Sequence, residues 1–178
     1  MPEKLDIVII RGAPGSGKSQ VAKSLSKFFA KGVRLEVDTI RGMVISVDWK
    51  NQQEHIAMLQ ASAKLVTEFL KSGYSPVMVI DTFSGDKINR FLQTLNQHEE
   101  NLSIKSFALY TSDEELKRRL EQRRSGDFRD YPISKLLNDD VLRWKPEGEC
   151  QFDTTGRSPD QIAEMIHAQI NEEPLTKR

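Results

Sequence analysis

The run Gly12-Ala13-Pro14-Gly15-Ser16-Gly17-Lys18-Ser19 constrains this 178-residue chain more than any other feature. It fits G-x-x-x-x-G-K-[ST] in full, a pattern that carries meaning when a strand precedes it and a helix follows. Both are written in the sequence. Residues 5–10 are almost continuously apolar, as in a strand buried on both faces. Residues 19–30 place Val21, Leu25, Phe28 and Phe29 at helical spacing, and Gly32 reads as the stop just past that helix. The glycines let the backbone turn sharply and aim its N–H groups at phosphate oxygens, while the helix N-terminus adds partial positive charge at the same place. Lys18 is expected to reach the β- and γ-phosphates of ATP, Ser19 to hold Mg²⁺, and Gln20 to join the nucleotide-binding set.

Beyond this loop, strand and helix signals alternate, the pattern of a parallel sheet wrapped by helices. Val33, Leu35 and Val37 alternate with charged residues, which predicts a half-exposed edge strand. Residues 52–72 form an amphipathic helix with Ile56, Leu59, Ala63, Val66 and Leu70 on one face, stopped at Gly73. A fully apolar strand follows at 77–80, a helix at 86–97 through Ile88, Leu92 and Leu95, and a strand at 104–110. Ser112 with Glu115 is a capping box, opening a helix that runs to about residue 124. A polar, arginine-rich loop at 126–132 comes next, then a short helix around 136–142 and a short strand at 150–152. Ser158, Pro159 and Gln161 open a last helix, with Ile162, Met165, Ile166 and Ile170 as its apolar face; the tail from residue 172 is expected to fray. No repeat or low-complexity linker interrupts the chain, so residues 1–178 read as one domain.

Composition narrows the class of partner. The 26 basic and 26 acidic residues cancel, whereas a protein that grips a long nucleic acid carries a basic excess. A short strand end stays open as a substrate. No apolar run approaches the ~20 residues of a membrane span, and the first ten residues lack the order of a signal peptide. The one cysteine, Cys150, leaves no internal disulfide. The expectation is a cytoplasmic protein without a membrane partner.

Three further groups mark the rim where ligands of such sheets sit, beyond the carboxyl ends of the strands. Asp81 ends the strand 77–80, where a carboxylate orients a metal ion or its water; the plain alternative is a cap on the next turn. Asp38 follows the edge strand, placed to accept the proton of an attacking hydroxyl, and Arg41 lies one helical turn on, placed to clamp an anionic acceptor. The alternative there is an N-cap aspartate paired with its arginine. Trp49 is open to two readings, stacking on a substrate ring or packing. Leu116, Arg119, Leu120 and Arg123 share one helix face, so the two arginines point inward and need an anion, for which nucleotide phosphate is the expectation. Arg118 and Arg124 flank that face, and the alternative for the segment is a solvated helix paired with Glu114, Glu115 and Glu121.

With these residues in place the chain resembles the small P-loop kinases, in motif pattern above all the phage-type polynucleotide 5′-hydroxyl kinases. It is also similar to chloramphenicol phosphotransferases, zeta-toxin kinases and adenylylsulfate kinases. The resemblance spans roughly residues 5–170. It implies that Asp38 is the base and Arg41 an acceptor-phosphate ligand, that Arg123 is the lid arginine of a lid at about 124–132, and that Arg119 contacts adenine or phosphate. It places the segment 152–160, with Thr154, Gly156 and Arg157, near the adenine. It further implies a three-layer α/β/α P-loop NTPase fold with a five-stranded parallel sheet of order 2-3-1-4-5, its edges at the strands starting at Val33 and ending at Phe152. Residues 42–53, where acceptor specificity would be written, match no pattern of these families.

The expected activity is therefore transfer of the γ-phosphoryl group of ATP, with Mg²⁺, to a hydroxyl of a small molecule or a nucleic-acid 5′ end. The alternative is a P-loop ATPase or nucleotide-dependent switch acting through a protein partner. A GTPase would carry N-K-x-D, which is absent, and a remodelling ATPase of the AAA class would carry Asp-Glu where this chain has Asp81-Thr82. Intact Lys18, Ser19, Asp38 and Asp81 argue against a binding module without catalysis.

Overall fold

The computed structural model describes residues 5–172. Five strands, β1 (Ile7–Gly12), β2 (Val33–Glu36), β3 (Val77–Asp81), β4 (Ile104–Tyr110) and β5 (Cys150–Asp153), form one sheet in the order β2-β3-β1-β4-β5. Every pairing is parallel. This is the expected 2-3-1-4-5 order, with β2 and β5 at the edges. β1 lies at the centre, Ile7 paired with Val77 on one side and Ile104 on the other.

The continuous apolar run of β1 follows from that position, because both faces of the strand are covered. Ile7 and Ile9 enter a core with Leu59, Ala63 and Val66 of helix α3 (Gln52–Lys71) and Ile88, Phe91 and Leu95 of α4 (Lys87–His98). Val8 and Ile10 enter the opposite core with Val21, Ala22 and Leu25 of α1 (Lys18–Leu25) and Ile162, Ala163 and Ile166 of α7 (Pro159–Glu172). The period-2 direction of strand side chains thus divides one apolar stretch between two cores, and three layers result. The remaining helices are α2 (Val37–Arg41), α5 (Asp113–Glu121) and α6 (Tyr131–Arg143). Among the described residues no helix is long and apolar enough to cross a membrane.

Several boundaries depart from expectation for identifiable reasons. The helix after the phosphate loop is α only to Leu25, tightens to a 3₁₀ turn at Ser26–Phe28, and is extended at Phe29. Gly32 is no helix stop. A Cβ there would sit 2.8 Å from the Pro76 carbonyl, so glycine permits close passage of two chains. Gly73 does stop α3, at φ +80°. Helix α5 ends at Glu121, short of residue 124, and Ser112 accepts from Glu115 N at 3.3 Å without the reciprocal bond, because the Glu115 carboxylate is taken by arginines. Helix α6 begins earlier than expected: Asp130 accepts from Ile133 N and Pro132 occupies the first turn, a start signal hidden in a polar loop. The α7 capping box is complete, Ser158 and Gln161 bonding reciprocally, but Met165 turns to the surface. The frayed tail expected beyond residue 172 lies outside the described residues.

A buried ion pair locks α6 under the phosphate loop. Arg11, the residue before Gly12, is fully buried and gives Nε and Nη2 to Glu149 at 2.6 and 2.7 Å. Its Nη2 also meets the carbonyls of Val141 and Trp144 at the C-terminal end of α6, and Ser106 Oγ donates to Glu149 at 3.1 Å.

Candidate functional site

The phosphate loop leaves β1 with no space to spare. A Cβ on Gly12 would fall 2.5 Å from Ser16 Oγ and 2.6 Å from the Leu109 carbonyl, so only glycine lets the loop turn back over β4. Ala13, Pro14 and Gly15 form the turn, closed by Ser16 N donating to the Ala13 carbonyl at 3.1 Å. Gly17 starts α1 at φ +95°, a left-handed value that L side chains resist. The Ser16 hydroxyl is buried and, among the described residues, bonded to nothing. An orphaned donor in a cradle of backbone N–H groups fits a phosphate oxygen. Lys18 Nζ rests against the Ala13 carbonyl at 3.4 Å. Loss of hydration pulls its pKa down, while Asp38, Asp81 and Glu36 act in the other direction.

Asp81 lies beside the loop, in register with Arg11. It is 3% exposed and accepts from His55 Nε2 at 3.1 Å and from Phe83 N at 2.8 Å. Burial works to raise its pKa, but the His55 bond and the Phe83 N–H outweigh it and hold the carboxyl below its ordinary value. Ser19 Oγ donates to Glu36 Oε2 at 3.0 Å, which leaves the hydroxyl lone pairs for a cation. Glu36 and His55 escaped the sequence reading. Glu36 had one signal, an acidic residue ending a strand two before Asp38. His55 had none, since nothing local ties position 55 to position 81. Among the described residues no group of three or more His, Cys, Asp and Glu could hold an ion. A magnesium ion here would take one or two protein ligands and the rest from phosphate and water, which is its ordinary habit.

Asp38 occupies the first turn of α2 and is exposed to solvent. It caps nothing: the N-cap position is Glu36, without a side-chain cap bond. Partial desolvation and the nearby Asp81 charge raise its pKa, against Lys18 and Arg41. Arg41 does not pair with it. Its Nε bonds Glu54 at 3.1 Å, and its Nη2 bonds the carbonyls of Asp48 and Asn51 at 2.6 and 3.1 Å. The half-exposed Trp49 ring lies 5.1 Å from its guanidinium, so the first stacking partner of Trp49 is Arg41. Arg41 therefore organises the 48–51 turn, whatever else it holds.

On the opposite side of the loop, the inward arginine of α5 finds a protein anion. Arg119 Nε pairs with Glu115 at 2.7 Å, so within the protein its counter-ion is a carboxylate. Its other nitrogens donate to the Gly15 and Ser16 carbonyls at 3.4 and 3.3 Å, and to the Thr154 hydroxyl and carbonyl at 2.9 and 2.7 Å. The guanidinium staples the phosphate loop to the end of β5. Arg118 and Arg119 together draw Glu115 down to a pKa of about 2. Beside this staple a cavity of about 260 Å³ is lined by Gly17, Gln20, Arg119, Thr154 and Arg157, among others. Gly156 turns at φ +65° in the segment that borders it. Whole small-molecule pockets run ~300–1,000 Å³, so this one suits part of a ligand. Arg123 lies close enough to Lys18 for their charges to interact, and it donates to the Phe128 carbonyl at 2.9 Å. Arg129 donates to the Arg123 carbonyl. The 124–130 loop is exposed throughout and folded largely on its own arginines.

A family model described as an AAA domain matches residues 7–138. No curated protein sequence matches the chain. Solved structures match nearly its whole length. A sugar kinase from Janibacter sp. HTCC2649 superposes with a TM-score of 0.73 at 15% identity, covering 96% of each chain. The APS kinase of Mycobacterium tuberculosis, in complex with AMPPNP and APS, gives 0.72 at 16% identity, covering 97% of this chain and 100% of that one. The tunicamycin resistance protein of Deinococcus radiodurans gives 0.68 at 22% identity, covering 98% of each. These likenesses establish the P-loop α/β fold.

Proposed function

The chain belongs to the AAA-domain family, and from that premise we propose that it is an ATP-dependent phosphotransferase passing the γ-phosphoryl group to an acceptor hydroxyl. The observation that carries this reading is Asp38: an open, uncapping carboxylate of raised pKa that shares its surroundings with Lys18 and Asp81. A hydrolytic switch has little use for a base on the acceptor side. The phosphate loop, Gly12 to Gln20, takes the triphosphate, with Lys18 on the β- and γ-phosphates. Adenine enters the cavity between Arg119 and the turn of Thr154, Gly156 and Arg157. Ser19 and Asp81, with Glu36 behind the hydroxyl, hold Mg²⁺, which neutralises charge on the phosphates. Arg123 serves the transferring group from the lid. Asp38 orients the acceptor hydroxyl and takes its proton, and Arg41 borders the same space. The similarity to a sugar kinase and an APS kinase supports a small-molecule acceptor.

Incubation with γ-labelled ATP, Mg²⁺ and a pool of sugars, nucleosides and oligonucleotide 5′ ends should move label onto an acceptor. Label released only as inorganic phosphate would overturn the reading in favour of a switch. The lid gives an independent expectation. Closure that excludes water would keep the phosphoryl group from hydrolysis. Amides in 124–132 should exchange with solvent at least several-fold more slowly once AMPPNP is bound, and equal exchange in both states would remove the loop from the mechanism.

A further inference from the structure

One cation on the acceptor side has no anion. Lys87, in the first turn of α4, is half-buried, and its Nζ bonds Gln52 Oε1 at 2.7 Å, Ser84 Oγ at 3.2 Å and His55 Nδ1 at 3.3 Å. All three partners are neutral acceptors. Among the described residues no carboxylate lies within ion-pair distance of it. The adjacent Asp86 turns the other way and pairs with Arg90 at 2.9 Å. Several other cations of the chain are matched: Lys27 by Asp160, Lys135 by Asp113 and Asp139, Arg41 by Glu54. Burial lowers the Lys87 pKa, the charges of Asp81 and Asp86 oppose that, and the Arg41 charge reinforces it. Lys87 and Arg41 thus press like charge on one space, which also borders Asp38 and Asp81. A desolvated ammonium held only by neutral groups is stabilised by an incoming oxyanion.

We propose that Lys87 is the anion receptor of the acceptor site, and that the acceptor is a hydroxyl compound carrying a carboxylate or phosphate. The proposal rests on the kinase reading above. The anion pairs with Lys87 while the hydroxyl faces Asp38. The ammonium can only donate, so His55 Nδ1 accepts from it and Nε2–H is left to donate to Asp81. Anion binding and the placement of the Asp81 carboxylate therefore share one residue.

The test uses acceptors paired so that they differ mainly in the anion: ribose and ribose 5-phosphate, glucose and glucuronate, thymidine and thymidine 3′-phosphate. Transfer from labelled ATP is measured for the parent, Lys87→Gln and Lys87→Arg. Glutamine still donates to His55, so it removes the charge and spares the network. Loss of a charged hydrogen bond should raise KM for the anionic members about ten- to hundredfold, with kcat changed less than about threefold. The neutral members should be indifferent to the change, and arginine should restore most of the loss. In parallel, calorimetry titrates the anionic members into protein loaded with Mg²⁺-AMPPNP. Weaker binding to Lys87→Gln than to the parent is expected. Neutral members phosphorylated as well as their anionic partners would overturn the proposal and leave the kinase reading standing. Calorimetry that fails to separate parent from Lys87→Gln, whether both bind or neither does, would also overturn it. Anion binding that depends on Lys87 without transfer to any acceptor would instead sink the kinase reading.

Discussion

Asp38→Asn should bind ATP as the parent does and transfer phosphate about 10²–10⁴-fold more slowly, the usual worth of a positioned general base. Asparagine keeps the size of the side chain and removes its basicity. The loss should fall on kcat, because among the described residues no hydrogen bond ties the Asp38 side chain to the nucleotide cavity or the phosphate loop, which it reaches only through its charge on Lys18. The fold should not suffer. Asp38 supports no cap, and folding raises its pKa, so its ionised form is the one folding disfavours. Any stabilisation from that carboxyl is present below its unfolded pKa and lost as pH rises through the folded value. At neutral pH the substitution removes no support, and Tm should stay level or rise. The pH profile offers a second readout. In the parent the acid limb of transfer should lie above the ~3.9 of an ordinary aspartate, and in the variant that limb should be missing. Transfer at the parental rate would make Asp38 a bystander and withdraw the acceptor site from this rim.

Glu149→Ala should cost about 3–5 kcal/mol of stability, the range for breaking one side of a buried pair. Both side chains are fully buried, and Arg11 would keep its charge with only carbonyls to meet it. Domains have about 5–15 kcal/mol in all, so the variant should be near the edge of folding. At ~2–4 °C per kcal/mol for a chain of this size, Tm should drop by about 6–20 °C. Replacing both partners by apolar residues, Arg11→Met with Glu149→Leu, should recover much of the loss. Recovery stays incomplete because the Val141 and Trp144 carbonyls at the end of α6 then lose their donor. Thermal denaturation of the three proteins decides the matter, and a Glu149→Ala variant within about 1 kcal/mol of the parent would show that the pair is no anchor.

What the sequence disclosed, and what it hid, follows from the range of each interaction. The phosphate loop is local: eight consecutive residues carry it, and its flanks declare a strand and a helix by their periodicity. The sheet order was legible through resemblance and through the alternation at Val33, Leu35 and Val37. Asp38 and Asp81 could be placed because each stands next to a strand end. The partners could not. Arg11 and Glu149 lie at opposite ends of the chain, and no periodicity joins them. Arg119 shares a face of α5 with the buried Leu116 and Leu120, and the carboxylate it meets within the protein is its own Glu115, one turn back. A solvated-helix pattern and a buried staple use the same residue types at the same spacing, so only packing separates them. Lys87 was silent for the opposite reason: its signal is the carboxylate it lacks, and sequence does not record an empty neighbourhood.

The place of β1 has a consequence for the making of the protein. It does not pair with β2, the next strand along the chain; its neighbours are β3 and β4, met at Val77 on one side and Ile104 on the other. During synthesis the phosphate loop therefore leaves the ribosome before either of the strands that flank β1. Distant pairings of this kind delay folding, because loop-closure entropy is lost before contacts repay it. Until β4 is in place, the Leu109 carbonyl that packs against Gly12 is missing from the wall of the loop. A nascent chain should gain its grip on triphosphate in one late step, after residue 110 has emerged, with no weaker intermediate grip before it.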